Sequence, residues 1–368
     1  MQMSKFLAVF LSVYSLMHLL FFLRIRILLP SRTGRWIAAL FLLIMILAPL
    51  MSRILEQQGY DLPARIMAFA GFYWMGFIFL GFVAAVLMGG IDILSYSIRQ
   101  TCPCSGKMPV IFMLASVIAV CIYGIIEALH PRIEYLHLVT HKLPTGTGHL
   151  RIVHISDLHL GMLTSSNRVK GIAEKIQSLN PDILVCTGDM VDVSDHHLKG
   201  LSDIFNEIRP RYGKYAVTGN HEYYAGIKNS LEFMQDCGFT VLRGKAETVP
   251  SLINIAGVDD SVIGGTVQES VLLSSSAENG LFTLFLKHRP LVRLESLGLF
   301  DLQLSGHTHG GQIFPFRFIV SVPFPFLRGY YGLPKGSGIY VNRGTGTWGP
   351  QMRVFSPPEI TVIELERG

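Results

Sequence analysis

The sequence predicts a mixed α/β (α+β) domain preceded by four transmembrane α-helices. Three observations predict it. First, half of the 368 residues are hydrophobic and only 15% are charged, with a mean hydropathy of +0.41, too apolar for an ordinary soluble protein. Second, the apolar excess lies in residues 1–130, and beyond residue 150 short apolar runs alternate with stretches of helical periodicity. Third, those runs end repeatedly in clusters of Asp, Asn and His.

The expected division is a membrane region over 1–130, a connector over 131–149 and a globular domain over 150–368. The length suits about two domains. A net charge of +5 is modest, and the basic residues are scattered, so nothing signals nucleic-acid binding. The partner implied is the lipid bilayer. Cysteine is sparse: Cys102 and Cys104 form a C-x-C in a polar loop, Cys121 and Cys186 lie in apolar runs, and Cys237 has no obvious partner. That is not a disulfide framework, and a lone C-x-C lacks the second half of a zinc site.

Four apolar segments, Phe6–Leu23, Trp36–Met51, Ile66–Met88 and Val110–Leu129, can cross roughly 30 Å of hydrocarbon. No small-residue cleavage site follows the first, which reads as a retained helix. Arg24, Arg26, Arg32 and Arg35 crowd the first loop, whereas the N-terminus carries only Lys5. Positively charged loops stay inside, so the globular domain is expected outside the cytoplasm, on a bacterial plasma membrane. His18 and Glu127 are the main ionisable residues in the spans. No charge relay is visible, which argues against a transporter. Pro131 ends the fourth helix, and 143–148 is a turn-rich approach to the first strand. His130, His137, His141 and His149 lack ligand spacing and read as interfacial or solvated.

In the globular half, Leu150–Ser156 alternates as a strand does, and Asp157-Leu158-His159 follows it. Residues 167–179 have a helical face of Val169, Ile172, Ala173, Ile176 and Leu179, ended by Asn180-Pro181. The buried run 182–187 leads to Gly188-Asp189, with Asp192 close by. A helix near 198–208 precedes a strand at 215–218, which ends in Gly219-Asn220-His221-Glu222. Further runs at 252–256, 281–286 and 301–304 end in Asp259-Asp260, His288-Arg289-Pro290 and Gly306-His307-Thr308-His309-Gly310-Gly311-Gln312. In an extended chain alternate side chains point one way, so Asp157 with His159, and His307 with His309, are each expected to reach one place together. His154 falls out of that alignment and reads as structural. Carboxylate and imidazole ligands suit zinc, manganese or iron. Ligands at strand ends converging on one crevice are a general α/β arrangement.

This order of D-x-H, G-D, G-N-H-E, H and G-H-x-H resembles the calcineurin-like metallophosphoesterase superfamily over about Leu150–Leu365. Tyr340–Gly346 and Pro358-Glu359-Ile360 extend the likeness to the branch with the bacterial phosphodiesterases YkuE and YaeI. The resemblance implies a β-sandwich flanked by helices and a centre of two divalent metal ions, Mn, Fe or Zn. It implies that Asp157, His159 and His309 hold one ion, that Asn220, His288 and His307 hold the other, and that Asp189 bridges them. No ligand position of the family pattern is missing. His221, beside a ligand, would stabilise the transition state or protonate the leaving oxygen. Glu222 has two readings, orienting His221 or sitting in a solvated turn. Arg289 likewise has two, contacting phosphate or lying at the surface.

The expected activity is metal-dependent hydrolysis of a phosphoester or pyrophosphate, in a lipid-linked substrate at the membrane surface. Alternatives are an extracytoplasmic hydrolase of soluble nucleotide or sugar phosphates, and a membrane sensor or scaffold with a structural metal site. The apolar, proline-broken segment 313–327 follows the last His cluster. It reads either as a buried irregular loop or as an apolar wall touching acyl chains or the bilayer. Tethering to membrane spans raises the effective concentration of a lipid substrate.

Overall fold

The computed structural model describes residues 2–192, 198, 200–260 and 267–368. It divides into two compact units, one of residues 1–126 with 349–352 and one of 127–348 with 353–368.

The first unit holds four helices, each long and apolar enough to cross a membrane: α1 (Gln2–Ile25), α2 (Arg32–Gln57), α3 (Asp61–Arg99) and α4 (Lys107–Ala128). α1, α2 and α3 run past the apolar cores read from sequence at both ends, because polar flanks continue the helical ladder outside the hydrophobic window; α4 begins earlier, at Lys107, and ends at Ala128, one residue short of the segment read. At 39 residues, α3 is about 58 Å long, roughly twice the hydrocarbon thickness. His18 is buried, with Nδ1 at 2.7 Å from the Tyr14 carbonyl and Nε2 accepting from the Trp74 indole at 2.9 Å. It is a packing residue. A buried charge in this unit, Asp92, which sequence reading passed over, is paired: Arg24 donates to it at 2.8 Å, and so does the amide of Cys104 at 2.7 Å.

The second unit is built on two six-stranded sheets. The first contains β1 (Arg132–Thr140), β2 (His149–Ile155), β3 (Ile183–Cys186), β4 (Lys214–Ala216), β5 (Thr240–Val241) and β12 (Glu359–Arg367), in the order β1-β12-β2-β3-β4-β5. The second contains β6 (Lys245–Val249), β7 (Ile253–Gly257), β8 (Phe282–Leu286), β9 (Leu302–Ser305), β10 (Gly329–Gly332) and β11 (Gly338–Val341), in the order β10-β11-β9-β8-β7-β6. Strand parity explains the layers. On β2, Leu150 and Ile152 join the core shared by both sheets, while Val153 and Ile155 face the other way. On β3, Ile183 and Val185 face in and Leu184 and Cys186 face out. The outward set packs on α5 (Ser166–Ser178), α6 (Leu201–Asn206) and α8 (Ile227–Asp236) through Val169, Ile176, Phe205 and Met234. The outer face of the second sheet packs Ala256 and Phe285 on Leu273 of α9 (Glu269–Ala277). This is the sandwich flanked by helices.

Two expectations need correction. The stretch 131–149, read as a connector, contains β1, paired in parallel with β12 from Arg132↔Glu359 to Thr140↔Arg367. Leu136 and Leu138 alternate onto the sandwich core, so a period of two was present under the histidines. The helix read at 198–208 is observed as α6 alone, and residue 199 of it lies outside the described residues.

Candidate metal centre

β2, β3, β8 and β9 lie side by side or face to face, and each releases its polar cluster at its carboxyl end. The turns that follow are laced together. Asp157 and His159 donate their amides to the carbonyls of Gly188 and Asp189, both at 3.0 Å, and Gly306 donates to His288 at 2.9 Å. The backbone here is not extended. Asp157, His159, Asp189, His307 and His309 all have φ between 49° and 70°. Asp and His tolerate this left-handed region better than most residues, and such strain gathers at functional sites.

This geometry overturns the parity argument. His307 and His309 leave the strand end but separate. His307 Nδ1 lies 3.1 Å from His288 Nε2, whereas His309 Nε2 lies 3.0 Å from His159 Nε2. Asp157 and His159 do stay together, at 3.9 Å. Asp157, His159 and His309 form one group able to hold a cation, and Asp189, His288 and His307 form a second. Asp189 Oδ2 stands between them, 3.3 Å from His288 Nε2 and 3.9 Å from His159 Nε2. Its other oxygen accepts the amide of His221 at 2.8 Å.

Four observations fit these residues to metal ions. The Nδ1 of His159 is 2.6 Å from Asp192, and the Nδ1 of His288 is 2.7 Å from the carbonyl of Thr187. Those contacts orient both rings with Nε2 toward the centre, as outer partners of metal-bound histidines do. Asn220 Oδ1 is buried with no hydrogen-bond partner, an orphan acceptor such as a cation relieves. Burial and the charges of His288 and Arg289 push His307 down to about 2, and burial holds His309 well below the usual imidazole range, so neutral rings are favoured there. Burial opposes a charge on His288, yet Asp189 beside it lifts that imidazole to about 10. A proton or a metal ion answers the same demand for positive charge.

His221 sits at the start of α7 (Asn220–Ala225), its ring edge-on to His159 at 4.7 Å and near Trp348 at 6.0 Å. Its Nδ1 is 2.6 Å from Asp192. Burial disfavours charge on this ring, but Asp192 and Asp189 raise its pKa to about 9. Sequence reading had left its orientation to Glu222 or to nothing. Glu222 instead turns away and accepts the amides of Asp189, Met190, Val191 and Gly219 at 2.6–3.2 Å. It clamps two loops together. Arg289 is tied through Nε to Asp260 at 2.8 Å. His154 is buried against Thr187, as a structural residue should be. Arg353 went unnoticed in the sequence. It is fully buried and donates to the carbonyls of His309 and Arg343, at 2.9 and 2.7 Å, fixing the corner that carries His309.

Residues 150–311 match the family model of the calcineurin-like phosphoesterases. A metallophosphoesterase of Aquifex aeolicus is 39% identical over 249 residues, covering 66% of this chain and 95% of its own. The metallophosphoesterase YkuE of Bacillus subtilis is 34% identical over 261 residues, 66% of this chain and 90% of its own. A transmembrane protein with a metallophosphoesterase domain from Danio rerio is 29% identical over 359 residues, 92% of this chain and 82% of its own. With its candidate metal-holding loops and its four apolar helices, the chain belongs to the calcineurin-like metallophosphoesterase family, as a membrane protein with a metal-dependent phosphoesterase domain.

Proposed function

We propose that this phosphoesterase hydrolyses a lipid-linked phosphoester or pyrophosphate at the membrane surface, using two divalent ions of manganese, iron or zinc. In this reading Asp157, His159 and His309 hold one ion, Asn220, His288 and His307 hold the other, and Asp189 joins the two sets. When bound, the ions supply Lewis acidity to the phosphoryl oxygens and make water a nucleophile near neutral pH. The chain supplies the rest. Asp192 holds the His221 ring from its Nδ1 side, so that the opposite nitrogen is free to protonate a departing alkoxide. Glu222 keeps the Asp189 and Asn220 loops in register by gathering their amides.

The observation that carries the lipid reading is the apolar segment after the His cluster. Phe324, near the end of the segment, packs edge-on against His307 at 4.9 Å, so the segment returns to the centre. Before that return Phe318 is 57%, Ile319 61% and Val322 83% exposed. The expectation of a buried loop fails here, because the proline-broken backbone and the short helix α10 (Arg317–Val320) turn these side chains outward. Exposed apolar patches of this kind mark ligand or membrane contact. Orientation follows the same reading: the catalytic domain lies outside the cytoplasm of a bacterial plasma membrane.

The test is hydrolysis by detergent-purified full-length protein with manganese or zinc. A panel of lipid phosphoesters and lipid-linked pyrophosphates is compared with soluble aryl mono- and diesters. The expected result is lipid turnover about tenfold or more above the soluble esters, abolished in Asp189→Asn and His221→Ala. Turnover of soluble esters alone would transfer the site to nucleotide or sugar phosphates.

A further inference from the structure

A second concavity, of about 240 Å³, opens beside the metal centre at the carboxyl ends of β7 and β8. We propose that it is a headgroup subsite that takes a polyhydroxylated unit, a sugar ring, esterified to the phosphoryl group cleaved at the metal centre. The proposal rests on the hydrolytic reading above and names the substrate class.

Three features carry it. The first is a buried acceptor without a donor. Glu269, at the start of α9, is 94% buried, as its 6% exposure gives, and lines the cavity. Its Oε1 takes Lys287 at 2.8 Å and Arg293 at 3.1 Å, while Oε2 has no partner. A hydroxyl group supplies the missing hydrogen. The second is charge balance. Lys287, Arg289 and Arg293 line the cavity opposite Asp259, Asp260 and Glu269. Arg289 is engaged by Asp260 at 2.8 Å, and Arg243 engages Asp259. A bare anion gains little from so neutralised a wall, whereas hydroxyls both donate and accept. Val258 and Leu291 offer the carbon face of a ring an apolar surface.

The third is adjacency. Arg289 follows His288 directly, and Asp259 is bonded to Thr218, two residues before Asn220, at 2.8 Å. A phosphoryl group at the centre therefore has its ester substituent within reach of this cavity.

The experiment is calorimetric binding to the manganese-loaded full-length protein in nanodiscs, since maltoside detergents bring sugar hydroxyls of their own. Glucose 1-phosphate is compared with phenyl phosphate. The expected result is a preference of about tenfold for the sugar ester. Leu291→Trp, which fills the cavity from its exposed wall, and Glu269→Gln each reduce that preference to about twofold or less, with phenyl phosphate affinity unchanged. Equal affinities in the wild type, no binding of either ester, or a preference that survives both variants would each overturn the subsite. If Glu269→Gln unfolds, Leu291→Trp decides alone. Lipid and aryl turnover measured in parallel separates the two readings. Hydrolysis without sugar preference removes only the subsite, and sugar preference without lipid turnover removes only the lipid reading.

Discussion

Asp192 faces two histidines with one oxygen. Its Oδ1 lies 2.6 Å from Nδ1 of His159 and 2.6 Å from Nδ1 of His221, tying a ligand candidate to the proposed acid. Their positive charge and hydrogen bonds hold its carboxyl well below the usual range although burial works against ionisation. Outer partners of this kind commonly carry about 10–100-fold in activity or metal affinity. Asp192→Asn should therefore cut kcat on an aryl ester by about 10–100-fold while the protein stays folded. If Asp192 acts through His221, the double variant with His221→Ala should be about as slow as His221→Ala alone, as groups acting as a unit are. Wild-type kcat in Asp192→Asn would remove the role. Sequence proximity had offered Glu222, the immediate neighbour of His221, as one of two readings, but the start of a helix sends adjacent side chains in different directions. Asp192, three residues past Asp189, gave no signal by spacing alone.

The ligand-bearing elements are strand ends followed by left-handed corners, and those corners depend on small residues. At Gly306 an added Cβ would run into the Ser156 hydroxyl and the Asp157 carboxylate, so the β9 turn and the β2 turn touch through this position. Gly306→Ala should push Asp157 off its ligand position. The expected outcome is a loss of about 100-fold or more in kcat, with metal content per chain falling too. Unchanged kcat and metal content would show that the corner has room to yield. These corners also mark where sequence reading runs out. The buried runs of β2, β3, β8 and β9 were legible because alternation and bounding turns fix them. The candidate ligand types could be read because Asp, Asn and His recur at the ends of those runs. The directions were not, since Asp157, His159, Asp189, His307 and His309 sit at a φ that a parity rule for extended chain does not describe. β1 stayed hidden behind an unremarkable half-exposed pattern. The exposure of 313–327 stayed open between two readings because apolar composition alone does not say which surface covers it.

At the scale of the whole chain, the helical unit turns the charge count into a sharper expectation. His18 meets Trp74, Phe21 meets Phe77 and Arg24 meets Asp92, so α1 and α3 run parallel. Phe41 meets Trp74 while Ala48 lies against Gly71, so α2 runs the other way. The first three spans therefore alternate in direction. That puts Arg24, Arg26, Arg32 and Arg35 at the same end as Arg99 and Lys107, and Lys5, Arg53 and Arg65 at the other. The basic loops after α1 and α3 reinforce each other, while Arg53 and Arg65 count on the other side. The positive-inside rule counts such short loops and gives little weight to the long segment after α4. Under that rule, and in keeping with the orientation proposed above, the loops after α1 and α3 would face the cytoplasm and the residues after α4 would face away from it. A C-terminal alkaline phosphatase fusion, which matures only outside the cytoplasm, should be active, and a C-terminal fluorescent protein that folds only inside should stay dark. The reverse pair of signals would put the phosphoesterase on the cytoplasmic face. Its substrate would then come from the inner leaflet, and the basic loops would be read by something other than insertion.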